Sequence, residues 1–393
     1  MLRYKLLYIG EYKMDKKIPL FKVFVTEDVD KPLLEVMHSG YIGEGPRVAE
    51  FEQNLKNYFH NPFLTTLNNG TAGLHLAYHM ALHQNGPKTY YNSNDAEIIT
   101  TPITCTATNE PIIANGAKIV WADVDPITGS IDPKDIERKI TKNTKAVTMV
   151  HWGGNPCEID KINSIAHSNG LKTIEDGAHA MGMEYKGKKF GNHSDYSMIS
   201  LQAIKHITSV DGGILMMKSE KDYERAKLLR WYGIDRTIRE GIDLRCELDV
   251  PESGYKFHMN DVCAVVGNEN FKHVDEILSK HRDNAHFYYE AFKGISEITC
   301  VPENPDGKSS FWLFTLHVNN RDEVMRKLGE VGIMASKVHA RNDTHSMFKD
   351  FYDENLPGVK QFNATHLCIP VGWWVTKEDR EYIAENVIRF ARG

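Results

Sequence analysis

The chain has 393 residues, of which 41% are hydrophobic and 25% are charged. This length allows two or three domains of about 150 residues, and the composition is that of a globular protein rather than a disordered one. The 47 basic and 53 acidic residues leave a net charge of −6 with no dense basic block. The charge pattern therefore argues against a nucleic-acid or anionic-membrane partner.

The chain contains no run of about 18 apolar residues, so we expect no membrane helix. Residues 1–17 lack the apolar core and cleavage site of a signal peptide, and we interpret them as an N-terminal extension. The cysteines are scattered without a CxxC pair, which favours reduced thiols in a cytoplasmic protein. No HExxH motif is present, and we expect no metal. The cysteines are Cys105, Cys157, Cys246, Cys263, Cys300 and Cys368.

Between about residues 65 and 220, short apolar runs alternate with amphipathic stretches. This alternation predicts an α/β sheet that is covered by helices on both faces. The predicted strands are Glu97–Thr101, Lys118–Val124, Ala146–Val150, Leu171–Glu175, Asp195–Leu201 and Gly212–Lys218. The predicted helices between them are Ala72–His83, Thr108–Asn115, Pro133–Ile140 and Glu158–Asn169.

The rest of the chain has a different pattern. Two long helices are predicted over Lys221–Tyr232 and Asp261–Lys293, followed by a strand over Phe311–Val318. Arg321–Val331 and Lys377–Arg392 are predicted as helices. We expect a large α/β domain over residues 1–270 and a smaller α+β domain over residues 271–393.

Two polar segments point to an anionic ligand with a cationic ring. Asn68–Leu74 is a glycine-containing segment directly before a helix, where backbone N–H groups can bind an anion or simply cap the helix. Asp176 follows a predicted strand, at the end where ligands bind in α/β sheets. Its carboxylate could hold a cationic ring nitrogen or be a solvated turn acid.

Two further segments contribute a candidate nucleophile and a candidate substrate-binding loop. Lys205 follows the apolar strand that ends near Ser200, where a lysine can form a Schiff base or extend to the surface. Gly40–Pro46 is a glycine-rich turn that predicts either a substrate wall or a tight loop.

In order and spacing, these segments resemble the DegT-type sugar aminotransferases, which are fold-type-I enzymes dependent on pyridoxal 5'-phosphate (PLP). The resemblance runs from about Ile18 to the C-terminus and implies a large, mostly parallel sheet domain with a smaller C-terminal α+β domain. The motifs are G-x-I-x-x-G-P at 40–46, N-G-T-A at 69–72, E-D-x-A-x-A at 175–180, S-x-x-x-x-K at 200–205, T-x-x-x-G-G at 208–213 and G-Y-x-x-x-M-N at 254–260.

The resemblance implies roles for individual residues. Lys205 forms the Schiff base with PLP and transfers protons, and Asp176 pairs with the pyridine nitrogen. His179 lies near the ring hydroxyl. The implied phosphate ligands are Gly70, Thr71, Ser200 and the backbone of Ala72.

Some positions depart from the family pattern or are less specific. Cys105 stands where members carry an aromatic residue that stacks on the cofactor ring. Lys256 stands where a family asparagine reaches the cofactor phosphate of the neighbouring subunit, which implies a homodimer with shared active sites. Tyr41 and Arg341 are candidate substrate residues.

The implied activity is transfer of an amino group, from glutamate, to a keto sugar that carries a nucleotide and is destined for a surface glycan. A PLP-dependent sugar dehydratase is an alternative, disfavoured because such enzymes have His in place of the Schiff-base lysine. A non-enzymatic ligand-binding protein of the same fold is the second alternative. Whether the acceptor carries a nucleotide, which nucleotide it is and which carbon is aminated all stay open, since a small phosphorylated ketone or an acidic keto sugar could also be the acceptor.

Overall fold

The computed structural model describes residues 17–84, 95–238 and 248–393. No helix in these ranges is long and apolar enough to cross a membrane. The helices are α1 (Asp30–His38), α2 (Pro46–Phe59), α3 (Gly70–Leu82), α4 (Thr106–Ala114), α5 (Pro133–Lys139), α6 (Ile159–Ser168), α7 (Glu220–Leu229), α8 (Asp261–Phe271), α9 (Val274–Phe292), α10 (Arg321–Glu330), α11 (Pro357–Thr365) and α12 (Lys377–Ala391). The strands are β1 (Leu64–Leu67), β2 (Glu97–Thr100), β3 (Lys118–Trp121), β4 (Thr144–Val150), β5 (Lys172–Asp176), β6 (Glu184–Tyr185), β7 (Lys188–Lys189), β8 (Tyr196–Ser200), β9 (Gly213–Met217), β10 (Ile298–Cys300), β11 (Gly307–Lys308), β12 (Phe314–Val318) and β13 (His366–Ile369).

The main sheet has seven strands in the order β1-β9-β8-β5-β4-β2-β3. The strands from β3 to β8 pair in parallel, and only β9 runs antiparallel to its two neighbours. The predicted mostly parallel α/β architecture is confirmed. Because the carboxyl ends of β5 and β8 lie at the same edge, the segments that follow Asp176 and Ser200 meet there.

Both faces of this sheet are buried, as the apolar runs of its strands predict. Successive strand residues alternate between two core clusters: Ile98 and Ala146 belong to one, and Ile99 and Val147 to the other. Helix α3 packs on the first face against β8 and β9, and α6 packs on the second against β5.

A second sheet, β10-β12-β13, is antiparallel and lies in the C-terminal part of the chain. Its core includes side chains from α9, α10 and α12. The N-terminal segment also joins it, since Ile18 forms a β-bridge with Ile333 and is itself part of that core. A short sheet of β11, β6 and β7 completes the fold.

Two predicted elements differ from those observed. The helix predicted over Asp261–Lys293 is two helices, α8 and α9, and the second begins with Asp275 and Glu276 in its first turn. Acidic residues favour a helix start, so the sequence contained a signal for this break. The strand predicted from Phe311 begins only at Phe314, because Phe311 has φ of +48°, which no extended strand adopts. The domain boundary near residue 270 stays a prediction.

A buried ion network fixes the end of β1, just before the segment that opens α3. Arg230, at the end of α7, donates hydrogen bonds to Glu52 (2.6 Å), Glu44 (2.6 Å) and the Thr66 carbonyl oxygen (2.8 Å). Burial alone raises the pKa of Glu52, but Arg230 and the Thr66 hydrogen bonds lower it by more. The folded state therefore holds this carboxylate charged.

We expect Glu52→Gln to destabilise the fold by about 2 kcal/mol, the scale of a lost hydrogen bond between charged groups. Urea denaturation at neutral pH measures this loss. Because the pKa of Glu52 is depressed in the folded state, the difference from wild type should narrow as the pH falls below the usual range of a glutamate. Glu276→Gln, which breaks an exposed pair with Lys280, is the control. An equal loss of unfolding free energy in the two variants would contradict a stabilising role of the Arg230 network.

Candidate active site

A cavity of about 740 Å³ lies at the carboxyl ends of β5 and β8 and at the N-terminus of α3. It brings together residues that the sequence places far apart. The predicted site residues that line it are Gly70, Thr71, Ala72, Asp176, His179, Ser200 and Lys205. Cys105, Trp312 and His339 line it as well.

One end of the cavity is suited to an anion. The Asn69 side chain caps α3 by accepting a hydrogen bond from the Ala72 N–H (2.7 Å), so that group is already engaged. The N–H groups of Gly70 and Thr71 have no acceptor among the described residues. A Cβ on Gly70 would lie 3.1 Å from Ser200 Cβ, so a glycine lets this helix start approach β8. The Ser200 hydroxyl oxygen accepts the Gln202 N–H (3.3 Å), which leaves its proton free to donate.

Asp176, at the end of β5, is a buried carboxylate of the same cavity and has no cationic partner among the described residues. It is 4% exposed, and no Lys, Arg or His nitrogen of the described chain lies within ion-pair distance. Its oxygens accept hydrogen bonds from Thr108 Oγ1 (2.6 Å) and the Ala178 N–H (2.9 Å). A buried charge is costly unless it is paired. The protonated ring nitrogen of a pyridine cofactor fits this position.

Thr108 connects Asp176 to a second buried hydroxyl, that of Thr104, at 2.6 Å. A carboxylate can only accept, so Thr108 donates to Asp176 and Thr104 donates to Thr108. This directed chain aims one hydroxyl proton at a carboxylate oxygen of Asp176.

Lys205, the predicted Schiff-base lysine, lines the same cavity. Burial lowers its pKa to about 8, although Asp176 and Cys105 raise it in part. An amine with such a pKa is partly neutral near pH 8, which is the form that attacks carbonyl carbon. Its Nζ lies 3.8 Å from the centroid of the Trp312 ring.

His179 presents a defined donor to the cavity. Its Nδ1 accepts the Gly153 N–H (3.3 Å), which assigns the ring proton to Nε2. Burial, then Lys205 and His339, lowers the pKa of His179 well below its usual range, so the ring is neutral. The Nε2–H can therefore donate to a ligand oxygen such as a ring hydroxyl.

Three predicted site residues do not line the cavity described here. Tyr41 is 59% exposed and lies on a separate groove beside Trp231. Lys256 Nζ lies 3.8 Å from the Trp231 ring centroid. Arg341 forms a two-point ion pair with the buried Asp343 (Nε to Oδ1, 3.0 Å). Their substrate or cofactor roles stay predictions.

Sequence reasoning missed three residues of the site. Thr108 lies in α4, and Trp312 comes from the C-terminal part of the chain, more than 100 residues after Lys205. His339 lines the cavity directly after Val338, whose φ of +65° is rare for a β-branched residue. No local pattern pointed to Trp312 or His339, whereas Thr108 lies in the first turn of a predicted helix, beside the N-cap Cys105 that the sequence had already singled out.

A mostly parallel sheet together with an anion site, a lysine of lowered pKa and a buried carboxylate without a cationic partner among the described residues defines a PLP-dependent enzyme of fold type I. Residues 25–388 match the model of the DegT/DnrJ/EryC1/StrS aminotransferase family, and the chain belongs to this family. It is therefore a PLP-dependent sugar aminotransferase, as the sequence predicts.

The chain is similar to several named proteins. AtS13 from Actinomadura melliaura is 39% identical in sequence, with a TM-score of 0.89 over 95% of this chain and 98% of that one. The sugar aminotransferase CalS13 from Micromonospora echinospora is 36% identical, with a TM-score of 0.89 over 95% of this chain and 99% of that one. UDP-4-amino-4-deoxy-L-arabinose--oxoglutarate aminotransferase from Shewanella sediminis is 30% identical over 85% of this chain and 86% of its own.

We expect Asp176→Asn to weaken PLP binding and to lower kcat, because the charge that favours a protonated ring nitrogen is removed. Loss of a positioned electrostatic partner costs about 2–4 kcal/mol in the barrier, or tens- to about a thousand-fold in rate. Steady-state turnover and a PLP titration measure the two effects. Asp306→Asn, an exposed carboxylate on a surface pair with Lys186, is the control. Wild-type kcat in Asp176→Asn would mean that the residue is a structural acid.

Proposed function

We propose that this aminotransferase takes the amino group from L-glutamate and transfers it to a nucleotide-linked keto sugar, as a homodimer with shared active sites. The observation that carries the proposal is the placement of Lys205 and Asp176 in one buried cavity next to an anion site. The name of the Shewanella relative supports the donor, since oxoglutarate is the oxo acid that glutamate leaves behind. The same name supports a UDP-linked amino sugar as the product class.

The residues divide the work of holding PLP. The N–H groups of Gly70 and Thr71 and the Ser200 hydroxyl would hold the phosphate. Asp176 would hold the ring nitrogen, and the Nε2–H of His179 the ring hydroxyl. When bound, PLP withdraws electrons from the donor's α-carbon and carries the amino group to the acceptor.

Lys205 then has two tasks at one atom. Its Nζ would anchor the cofactor between reactions, and once released it would accept the proton from the donor's α-carbon. An acid–base group works best when its pKa is near the working pH, and the pKa of about 8 meets that condition.

We expect Lys205→Ala to abolish turnover and the visible absorbance that PLP gains on the enzyme, while the fold persists. The control is Lys161→Ala, an exposed lysine paired with Glu158. Mass spectrometry of products from GDP-, UDP- and dTDP-linked keto sugars with glutamate identifies the acceptor in the same assay. Undiminished transamination by Lys205→Ala would overturn the assignment. Tight PLP binding without any product from the panel would favour the ligand-binding alternative.

The shared active site rests on the surface around Lys256. This lysine is exposed and has no carboxylate partner within 4.0 Å in the described chain, and its Nζ lies against Trp231 and Tyr232. Its neighbour Phe257 lines the cavity, so the Lys256 side chain points elsewhere. Tyr41 and Ile42, both more than half exposed, add apolar area to this region. Exposed apolar side chains around an unpaired cation favour an interface at which Lys256 meets the partner's phosphate.

Mixing inactive variants tests this sharing. If each site borrows Lys256 from its neighbour, a heterodimer of Lys256→Ala with Lys205→Ala contains one site with both defects and one intact site. We expect Lys256→Ala alone to bind PLP more weakly. When that variant is itself strongly impaired, mixing should restore up to about half the normal activity per heterodimer. Lys205→Ala mixed with Asp176→Asn is the matched control, because both residues belong to one subunit's cavity and no intact site can form. Unchanged PLP affinity together with an active monomer would rule the sharing out.

A further inference from the structure

Trp312 makes two separate contacts with the segment that carries the catalytic amine. Its indole Nε1–H donates a hydrogen bond to the carbonyl oxygen of Ile204 (3.0 Å), the residue before Lys205. The face of the same indole receives Lys205 Nζ at 3.8 Å from the ring centroid. A lysine ammonium on the face of a tryptophan is attracted by the ring, and the attraction is larger where the pair is desolvated.

Stacked rings fix the plane of the indole. Phe21 stacks on Trp312 with centroids 4.6 Å apart and planes 17° apart, and His179 stacks at 3.9 Å and 19°. Trp312 is only 4% exposed, and its backbone N–H donates to the Gly153 carbonyl oxygen (2.8 Å).

The backbone before Trp312 is strained and held by two buried histidines. Phe311 has φ of +48°, a conformation that costs energy for a bulky residue and persists where the surroundings enforce it. His206 Nε2 donates to the Ser310 carbonyl oxygen (2.9 Å), and His281 Nδ1 donates to that of Phe311 (2.8 Å). The strained backbone at Phe311 thus positions the Trp312 indole beside Lys205.

We propose that Trp312 is a positioning residue for Lys205: its face holds the protonated amine and its N–H anchors the preceding carbonyl, so that the free lysine keeps one place beside the reacting atoms. This inference rests on the proposed role of Lys205. It concerns the interval in which the lysine is not bonded to the cofactor, when a long side chain would otherwise occupy many rotamers.

The groups around the amine allow the contribution of Trp312 to be isolated. Asp176 and Cys105 raise the pKa of Lys205, whereas burial, the larger effect, lowers it. His179, His206 and His339 are neutral, because burial lowers the pKa of each. A cation on an aromatic face is stabilised in its charged form. Trp312 therefore opposes the effect of burial, and its removal should lower the pKa of Lys205 further.

The test follows covalent capture of PLP by the full-length apoenzyme, recorded as the rate of appearance of visible absorbance at different pH values. Capture needs the neutral amine, so its midpoint reports the pKa of Lys205 without turnover. We expect the midpoint to fall by about 0.5–1.5 pH units in Trp312→Leu. In Trp312→Phe, which keeps an aromatic face, it should fall by less. An unchanged midpoint in Trp312→Leu overturns the proposal, even if capture is slower.

Fluorinated tryptophan provides a variant that does not depend on the folding of Trp312→Leu. Replacement of all six tryptophans by analogues with increasing fluorination weakens the aromatic faces with little change of shape. The midpoint should fall stepwise in the wild-type chain and stay constant in a Trp312→Phe chain with the same analogues. Equal shifts in both chains, or none in either, would contradict the proposal.

Lys205→Ala separates this inference from the proposed function. If that variant captures PLP like wild type, the role of Lys205 is wrong. If Lys205→Ala captures no PLP, but the midpoint of capture is unchanged by substitution of Trp312 and by fluorination, only the positioning role of Trp312 is wrong.

Discussion

The cost of burying the Asp176 carboxylate organises the site. The charge is held by the Thr108 hydroxyl and the Ala178 N–H but by no cation of the described chain, and it lies in a cavity together with Lys205. A buried charge of this kind is stable when hydrogen bonds replace its lost hydration and a cationic ligand pairs with it. The hydroxyl chain of Thr104 and Thr108 serves that requirement directly, and Asp176 in turn raises the pKa of Lys205 against the effect of burial.

Much of the fold follows from local patterns. Strands β2, β4, β5, β8 and β9 are buried on both faces, so their apolar runs are continuous and easy to recognise. The break between α8 and α9 and the late start of β12 were missed. The late start of β12 has a tertiary cause. Phe311 adopts a left-handed conformation, and the side chain of His281, 30 residues earlier in the chain, holds its carbonyl oxygen by a hydrogen bond.

The site residues likewise fall into those that local sequence patterns indicate and those that only tertiary packing places. Gly70, Asp176, Ser200 and Lys205 could be predicted because each occupies a place that topology assigns to ligands, a helix start or a strand end. Trp312 and His339 could not, because they reach the cavity from the C-terminal part through packing that leaves no periodic trace in the sequence. Lys256 and Arg341 came from resemblance alone and Tyr41 from a glycine-rich turn, and none of the three lines this subunit's own cavity.

The path of the N-terminal segment has a practical consequence for anyone who expresses the protein. Ile18 pairs with Ile333, the Pro19 carbonyl oxygen accepts the Trp374 indole N–H, and Phe21 stacks on Trp312. Four consecutive residues, 18–21, thus contact both the C-terminal core and the wall of the cavity. An expression boundary placed after Phe21 would remove the contacts with the C-terminal core and with the cavity wall together, so an affinity tag is better joined upstream of Ile18.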